Sequence, residues 1–299
     1  MKHYYAFGLK ILSELTMNML SEADWTGSPD VTISFGPVFS SLDTIPLDSC
    51  GGRFVQENNR TIVHIPETAA MLAENGNHIV LDPLPDVREE LLGVYVMGGC
   101  MASILYQRQL FMLHGSCVCK DDNAIILTGH SGAGKSTLAA EFLKHGWQIM
   151  TDDVSLIVMK DRKPFIQSSY PSQKLWQDAA DRLGKTASQL IPLYQEGREE
   201  KFHVKIGESY YDGSRPVSAV VVLYKGEKTH LQLCDGFDKV NLLMRNRYQE
   251  FRIPAENRNS CFQTFLDMAQ HCKVALAERG CENNAAEILH QLITSQIEL

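Results

Sequence analysis

The sequence predicts an α/β protein: a mixed sheet with flanking helices, preceded by a small β-rich N-terminal domain. Two observations carry that class. A strand, glycine loop, helix and second strand follow one another between 124 and 151, and a string of short strand candidates fills the chain before residue 82. A third observation separates the two regions. Asp82-Pro83-Leu84-Pro85-Asp86 sets two prolines where neither helix nor sheet continues easily, so the expected domains are 1–86 and 87–299.

Strands are expected at 4–12, 31–35, 53–56, 61–65 and 78–81, from runs of apolar and β-branched residues. Glu57-Asn58-Asn59-Arg60 reads as a hairpin turn and Gly51-Gly52 as a second break. The segment 68–74 is rich in helix formers and reads as a short helix ending near Gly76. A longer helix is expected over 87–108. It contains the longest uncharged stretch, 91–107, but Gly93, Gly98, Gly99 and Ser103 interrupt it, which favours a buried helix over a membrane span.

Segments 115–119 and 124–128 flank Lys120-Asp121-Asp122-Asn123, a polar tetrad suited to a hairpin turn. In that register residue 119 faces 124 and 118 faces 125, which brings His114 opposite Gly129. The helix over 136–145 puts Leu138, Phe142 and Leu143 on one face and stops at Gly146. A returning strand follows at 147–151. Further on, 218–224 and 273–277 read as strands, and 237–245, 260–269 and 285–296 as helices. The stretch 167–181 is polar with aromatics, and 196–201 is a charge-rich loop.

Between the strand at 124–128 and the helix lies Gly129-His130-Ser131-Gly132-Ala133-Gly134-Lys135-Ser136, which fits G-x-x-x-x-G-K-[S/T], a phosphate-binding pattern. Glycines 129, 132 and 134 let backbone N–H groups turn inward around phosphate oxygens. Lys135 supplies a point charge for the β/γ-phosphates, and the Ser136 hydroxyl is a hard oxygen ligand suited to Mg²⁺. The helix N-terminus adds its positive end to the same anion site. Gly129, Ser131, Gly132, Ala133, Gly134, Lys135, Ser136 and Thr137 are therefore the expected nucleotide-binding residues.

Chain length then places two acids. The helix carries the chain roughly 16 Å from the loop at about 1.5 Å per residue. The next strand brings it back a similar distance at about 3.3 Å per residue. A right-handed parallel crossover should deliver Asp152 and Asp153 beside the loop.

Composition narrows the classes of partner. The 299 residues carry a net charge of −8 and show no basic stripe, which argues against nucleic acid. The N-terminus lacks the apolar core of a signal peptide. Eight cysteines stand at 50, 100, 117, 119, 234, 261, 272 and 281 with no Cys-x-x-Cys pair, the pattern of buried thiols in a reducing cytoplasm. No membrane association is expected.

Leu113-His114-Gly115, the loop 129–136 and Asp152-Asp153 together resemble the HPr serine kinase/phosphorylase family. The resemblance is closest to HPr-kinase-like proteins encoded with ribosomal peptides, including kinases of lasso-peptide precursors. It extends to Leu91-Leu92-Gly93 and to the run from Tyr170 through Lys174 and Trp176 to Asp178. It implies an HPr-kinase-like core and an ATP- and Mg²⁺-dependent serine kinase acting on a peptide or small protein, with self-assembly. In those terms Asp152 would be the general base, Ser136 and Asp153 would hold Mg²⁺, and His114 would orient Asp152 or touch the γ-phosphate. Lys174, Arg198, Lys201 and Arg258 are candidates to touch phosphate or an acidic acceptor. True HPr kinases have a different N-terminal domain and a C-terminal signature rich in Pro, Arg and Gly. The nearest counterpart here, Ile253-Pro254-Ala255-Glu256-Asn257-Arg258-Asn259, is shorter and lacks the glycine. Competing readings are an HPr-type protein kinase, a kinase of a small metabolite such as free serine, and a nucleotide-binding regulator without catalysis. Guanine specificity finds no Asn-Lys-x-Asp motif.

Overall fold

In the computed structural model, the alternating segments before residue 84 pair into one seven-stranded sheet. The structure describes residues 1–42, 45–48, 51–57, 59–176, 190–192 and 201–297. Its strands are β1 (Lys2–Ala6), β2 (Leu9–Ser13), β3 (Val31–Phe35), β4 (Arg53–Glu57), β5 (Arg60–Ile65), β6 (Ala69–Glu74) and β7 (His78–Pro83), in the order β1-β2-β3-β7-β6-β5-β4. Two expectations need correction. The segment read as one strand over 4–12 is the hairpin β1–β2, because Phe7 and Gly8 take φ of 55° and 72° and reverse the chain. The segment read as a helix over 68–74 is the interior strand β6. Its Ala-Ala-Met-Leu-Ala favours helix locally, but both faces are buried: Ala70 and Leu72 join a cluster with Val38, Leu42 and Ile62, and Ala69 and Met71 are equally enclosed. Tertiary burial overrides propensity there.

The chain divides into two units, Met1–Leu110 with Lys185–Val204 and Gln249–Arg258, and Phe111–Gly184 with Lys205–Tyr248 and Asn259–Leu299. The helical segment that the sequence reading sets after a boundary at 86 thus falls in the first unit. It comprises α1 (Glu89–Tyr95), a π-helical turn (Val96–Cys100) and α2 (Met101–Gln107). It docks on β6, with Cys100 Sγ 3.8 Å from Met71 Sδ and Gln107 Nε2 donating to the Ala73 carbonyl at 3.0 Å. No helix among the described residues is long and apolar enough to cross a membrane.

The second unit is built on a mixed eight-stranded sheet. That sheet contains β8 (Phe111–Lys120), β9 (Asn123–Gly129), β10 (Gln148–Thr151), β11 (Val154–Lys160) and β12 (Lys163–Gln167), while β13 (Ser172–Trp176) lies outside it. In the first unit β14 (Leu190–Pro192) pairs with β15 (Lys201–Lys205); the second unit resumes with β16 (Ser214–Lys225), β17 (His230–Cys234) and β18 (Lys273–Arg279). Strands β9, β16 and β18 run parallel side by side. The hairpin β8–β9 has the expected register, Cys119 opposite Ala124 and Gly115 opposite Thr128, with Asp121 at φ 53° in the turn.

Helices α3 (Lys135–Lys144), α4 (Gly236–Arg245), α5 (Arg258–His271) and α6 (Ala285–Gln296) complete the list. Alternate residues of the parallel strands (Ile125 and Leu127, Ala219, Val221 and Leu223) share one buried cluster with Leu138 and Phe142 of α3 and Leu289 and Ile293 of α6. That period of two is what a sheet face needs to bury itself under helices. Cys100, Cys117, Cys119, Cys261 and Cys272 are buried free thiols, Cys234 is half-buried and Cys281 is exposed; Cys50 lies outside the described residues.

Candidate active site

The parallel strand β9 ends in the glycine loop, and the loop opens α3. Gly129 has φ 129°, and a Cβ there would fall 2.2 Å from the Leu223 carbonyl oxygen, so only glycine fits against β16. Gly132 and Gly134 also have positive φ, 79° and 109°, and Leu138 N–H closes the first helical turn onto the Gly134 carbonyl. Lys135 is the first residue of α3, and its Nζ turns back into the loop to donate to the carbonyls of Gly129 (2.7 Å) and His130 (3.2 Å). Ser136 is half-buried and Ser131 and Thr137 are exposed, while Ala133 is buried beneath the turn.

Asp152 and Asp153 interrupt what would otherwise be one strand. Both β10 and β11 pair antiparallel with β8, Thr151 opposite Cys117 and Val154 opposite His114. Between them the chain kinks: Asp153 takes φ 67°, Val154 N–H bonds the Asp152 carbonyl, and Gly115 N–H bonds the Asp153 carbonyl. The crossover from β9 through α3 therefore returns parallel to β9, as the chain-length estimate expects, but one strand further away, because β8 lies between. At about 4.8 Å per strand spacing, the aspartate backbone stands roughly 10 Å from β9, level with Thr128. Gly115 makes this close pairing feasible, since a Cβ there would lie 2.5 Å from the Leu127 carbonyl oxygen.

The two carboxylates differ sharply. Asp152 is buried; Oδ1 accepts from the Ser116 hydroxyl (3.0 Å) and Oδ2 from Lys174 N–H (2.7 Å). Burial pushes its carboxyl above the usual range, the neighbouring Asp153 adds to the rise, and the Lys174 and Ser116 contacts oppose it. Asp153 is more open. Its Oδ2 accepts from Lys174 Nζ at 2.8 Å and its Oδ1 lies 3.6 Å from His114 Nδ1, an electrostatic neighbour beyond hydrogen-bond range. Burial, the largest influence, would lower the Lys174 ammonium, but Asp153, Tyr170 and Tyr248 together outweigh it and hold the lysine above its ordinary value.

His114 sits on β8 beside Asp153 rather than Asp152, and its ring stacks on Tyr248 with centroids 5.9 Å apart. Asp152 is oriented instead by Ser116 and the Lys174 backbone. The Thr128 hydroxyl, one residue before the loop, reaches two acceptors, the His114 carbonyl (2.6 Å) and Asn246 Oδ1 (3.1 Å), and His114 N–H bonds the Asn246 carbonyl. Lys174 is engaged with both aspartates. Arg258 opens α5, within the first unit. Arg198 lies outside the described residues, and only the backbone of Lys201 is described.

Several residues of this neighbourhood carry no signal in the glycine motif. Tyr248 and Asn246 reach it from the end of α4, a segment remote in sequence. Lys225 and Arg279 end β16 and β18 directly opposite each other. Arg279 Nη1 lies 2.7 Å from where a Gly134 Cβ would sit, and Lys225 Nζ 3.7 Å from the corresponding point of Gly132. The rule that α/β sheets bind ligands at the carboxyl ends of parallel strands could have singled out both cations.

Chemically, the arrangement offers inward-facing loop glycines, an ammonium at the loop and a carboxylate pair with a lysine and a histidine. Among the described residues no cluster of three or more His, Cys, Asp or Glu could hold a metal by itself. In comparison with known proteins, residues 80–185 match the family described as SynChlorMet cassette protein ScmC. No curated protein matches the chain. Among solved structures it is similar to the Hpr(Ser) kinase/phosphatase from Coxiella burnetii, at 10% identity, over 62% of this chain and 95% of that one, with a TM-score of 0.32.

Proposed function

We propose that this chain is an ATP-dependent kinase with an HPr-kinase-like core, transferring the γ-phosphoryl group to a serine hydroxyl of a peptide, of the lasso-precursor type. The single observation that carries the reading is the kinked acidic pair at 152–153, held one strand away from the glycine loop by β8. Phosphoryl transfer asks a protein chiefly for positioning and charge stabilisation, which a loop lysine and a nearby pair of acids can supply.

In this reading the amides of 129–136 and Lys135 hold the β/γ-phosphates, and Thr137 follows on toward the α-phosphate. Asp152 accepts the proton of the attacking hydroxyl, a general-base role worth about 10²–10⁴-fold. Its raised carboxyl supports that role, because a less acidic carboxylate is a better proton acceptor near neutrality. His114 lies beside Asp153 and stacks on Tyr248.

Mg²⁺ fits the donor set. The Ser136 hydroxyl and the Asp153 carboxylate are hard oxygens, and Mg²⁺ is ordinarily held by one or two protein ligands with phosphates and water supplying the rest. Bound there, the ion would neutralise charge on the transferring phosphoryl group. The peptide acceptor rests on the resemblance of the 91–180 segment to precursor-peptide kinases.

One observation favours a second reading. Both oxygens of Asp152 accept hydrogen bonds, and Asp153 is paired with Lys174, as in a nucleotide-binding regulator that transfers nothing. Mass spectrometry separates the two. The protein is incubated with Mg·ATP and candidate acceptors: a precursor peptide, a folded carrier protein and free serine. A phosphopeptide that disappears with Lys135→Ala and with Asp152→Asn supports the first reading. Bound ATP with no phosphorylated acceptor supports the second. Full activity in Asp152→Asn would remove the general-base assignment.

A further inference from the structure

The triphosphate has two ends, and the sheet offers each of them a different side of β9. The acidic pair lies across β8. On the other side, across β16, the carboxyl ends of β16 and β18 and the start of α6 enclose a cavity of about 460 Å³, walled by Thr137, Lys225, Gly226, Arg279, Cys281 and Asn283. We propose that this cavity receives the nucleoside end of the nucleotide, with Arg279 and Lys225 over its phosphates and Asn283 reading an adenine. The inference rests on the nucleotide-binding reading above and adds the location and chemistry of the base site.

Four observations carry it. First, the cavity has the size of small-molecule sites, which run from about 300 to 1,000 Å³. Second, it opens on Thr137, the residue after Ser136, so it continues the loop on the side away from Asp153. A triphosphate whose γ end points toward the acids must leave the loop in this direction. Third, Arg279 and Lys225 make no ion pair or side-chain hydrogen bond among the described residues, although they stand against Gly134 and Gly132. Adjacent cations at the ends of parallel strands, with no acid of their own, suit an anionic ligand.

Fourth, the far wall is stiff and polar. Glu282 accepts from Thr229 N–H (3.1 Å) and from its hydroxyl (2.7 Å), and Gly280 N–H donates to the Thr229 hydroxyl. A Cβ on Gly280 would lie 2.7 Å from the Thr229 backbone nitrogen, so the turn is closed to larger residues. Next to this fixed point Asn283 keeps its carboxamide uncommitted among the described residues. A carboxamide presents one acceptor and two donors, complementary to the adjacent amino group and ring nitrogen of adenine.

Cys281 supplies the reporter. It is the exposed thiol among the described cysteines, and its Sγ lies 3.8 Å from the Gly226 carbonyl on the cavity wall. The test is alkylation of the full chain with iodoacetamide, read at Cys281 by peptide mass spectrometry. The probes are Mg·ATP, Mg·ADP and tripolyphosphate, and calorimetry measures the binding of each independently. At about ten times Kd, occupancy by ATP or ADP slows Cys281 alkylation roughly tenfold. Tripolyphosphate, which has no nucleoside, leaves the rate at its free value. Asn283→Ala raises the Kd of ATP about tenfold and leaves that of tripolyphosphate unchanged.

Bound ATP with Cys281 alkylated at its free rate overturns the cavity assignment and leaves nucleotide binding standing. Tripolyphosphate that protects as well as ATP does the same. Failure of both ATP and tripolyphosphate to bind removes the proposed function, and this inference with it.

Discussion

Lys174→Met tests the electrostatics of the acidic pair most directly. The substitution keeps the length and the apolar stem and removes the ammonium, while the backbone N–H that bonds Asp152 remains. Lys174 Nζ lies 2.8 Å from Asp153 Oδ2, with side-chain exposures of 12% and 22%. At that separation the Coulomb attraction is about 6 kcal/mol at an effective dielectric of ~20. Part of it offsets the cost of burying the lysine. Removing one member of a buried pair typically costs about 3–5 kcal/mol, because the other is left uncompensated. Water can still reach Asp153, so the lower end, ~3 kcal/mol, is expected. The double variant Lys174→Met with Asp153→Asn removes both charges and should recover most of that loss. Because the lysine is held above 10.5, the contribution of the pair is fully present below that pH and lost as pH rises through the folded-state value. The difference between wild type and Lys174→Met should therefore stay flat from pH 7 to 10. Urea unfolding followed by tryptophan fluorescence measures it as a shift in midpoint at unchanged slope. A single variant within about 1 kcal/mol of wild type would refute the reasoning, since a surface pair is worth no more than that. So would a double variant no more stable than the single one.

Three further outcomes follow from the same geometry. Under the proposed function, Ser116→Ala removes a hydrogen bond that favours the charged form of Asp152, so the acid limb of kcat/KM against pH should move up; a limb that stays in place shows that Asp152 does not govern it. Gly115→Ala sets a Cβ 2.5 Å from the Leu127 carbonyl oxygen and should cost about 1–3 kcal/mol in urea unfolding by forcing β8 from β9. His290, stacked on His145 at 4.0 Å, has neither ring nitrogen hydrogen-bonded among the described residues, and burial first, then His145, depress its pKa below 6.5. The stability this histidine contributes is thus present above pH 6.5 and lost as pH falls through the folded value, and His290→Leu should flatten that part of the thermal-melt profile against pH.

How far the sequence could be read depended on how local the determinants were. The β8–β9 hairpin was legible to the residue, because a two-residue turn and two apolar strands leave little choice of register. The helices 236–245 and 285–296 followed from their amphipathic patterns. The segment 69–74 was misread because its side chains favour helix and only the neighbouring strands make it an interior strand. The acids were located by chain length alone, and that reasoning could not see β8 inserted between them and β9. Lys225, Arg279, Asn246 and Tyr248 carry no motif of their own. Each is an ordinary residue at the end of an ordinary element, and only the arrangement of strand ends brings them to the loop.

The insertion of β8 has a mechanical consequence. One edge of this strand holds the strand that ends in the glycine loop, and the other edge holds the strand that carries Asp152 and Asp153. The separation of loop and acids is therefore set by two hydrogen-bond ladders sharing one strand, not by the length of α3. Both ladders converge on His114 to Ser116, where Thr128 ties the loop strand to the His114 carbonyl and Gly115 N–H ties the kink. A slip of one residue in β8 would turn Ser116 away from Asp152 and reverse every side chain of the strand. That register is fixed at the Asp121-Asp122 turn, which begins five residues beyond Ser116, roughly 17 Å away at about 3.4 Å per residue. The geometry on which transfer would depend is thus controlled from a surface turn that touches neither nucleotide nor acceptor.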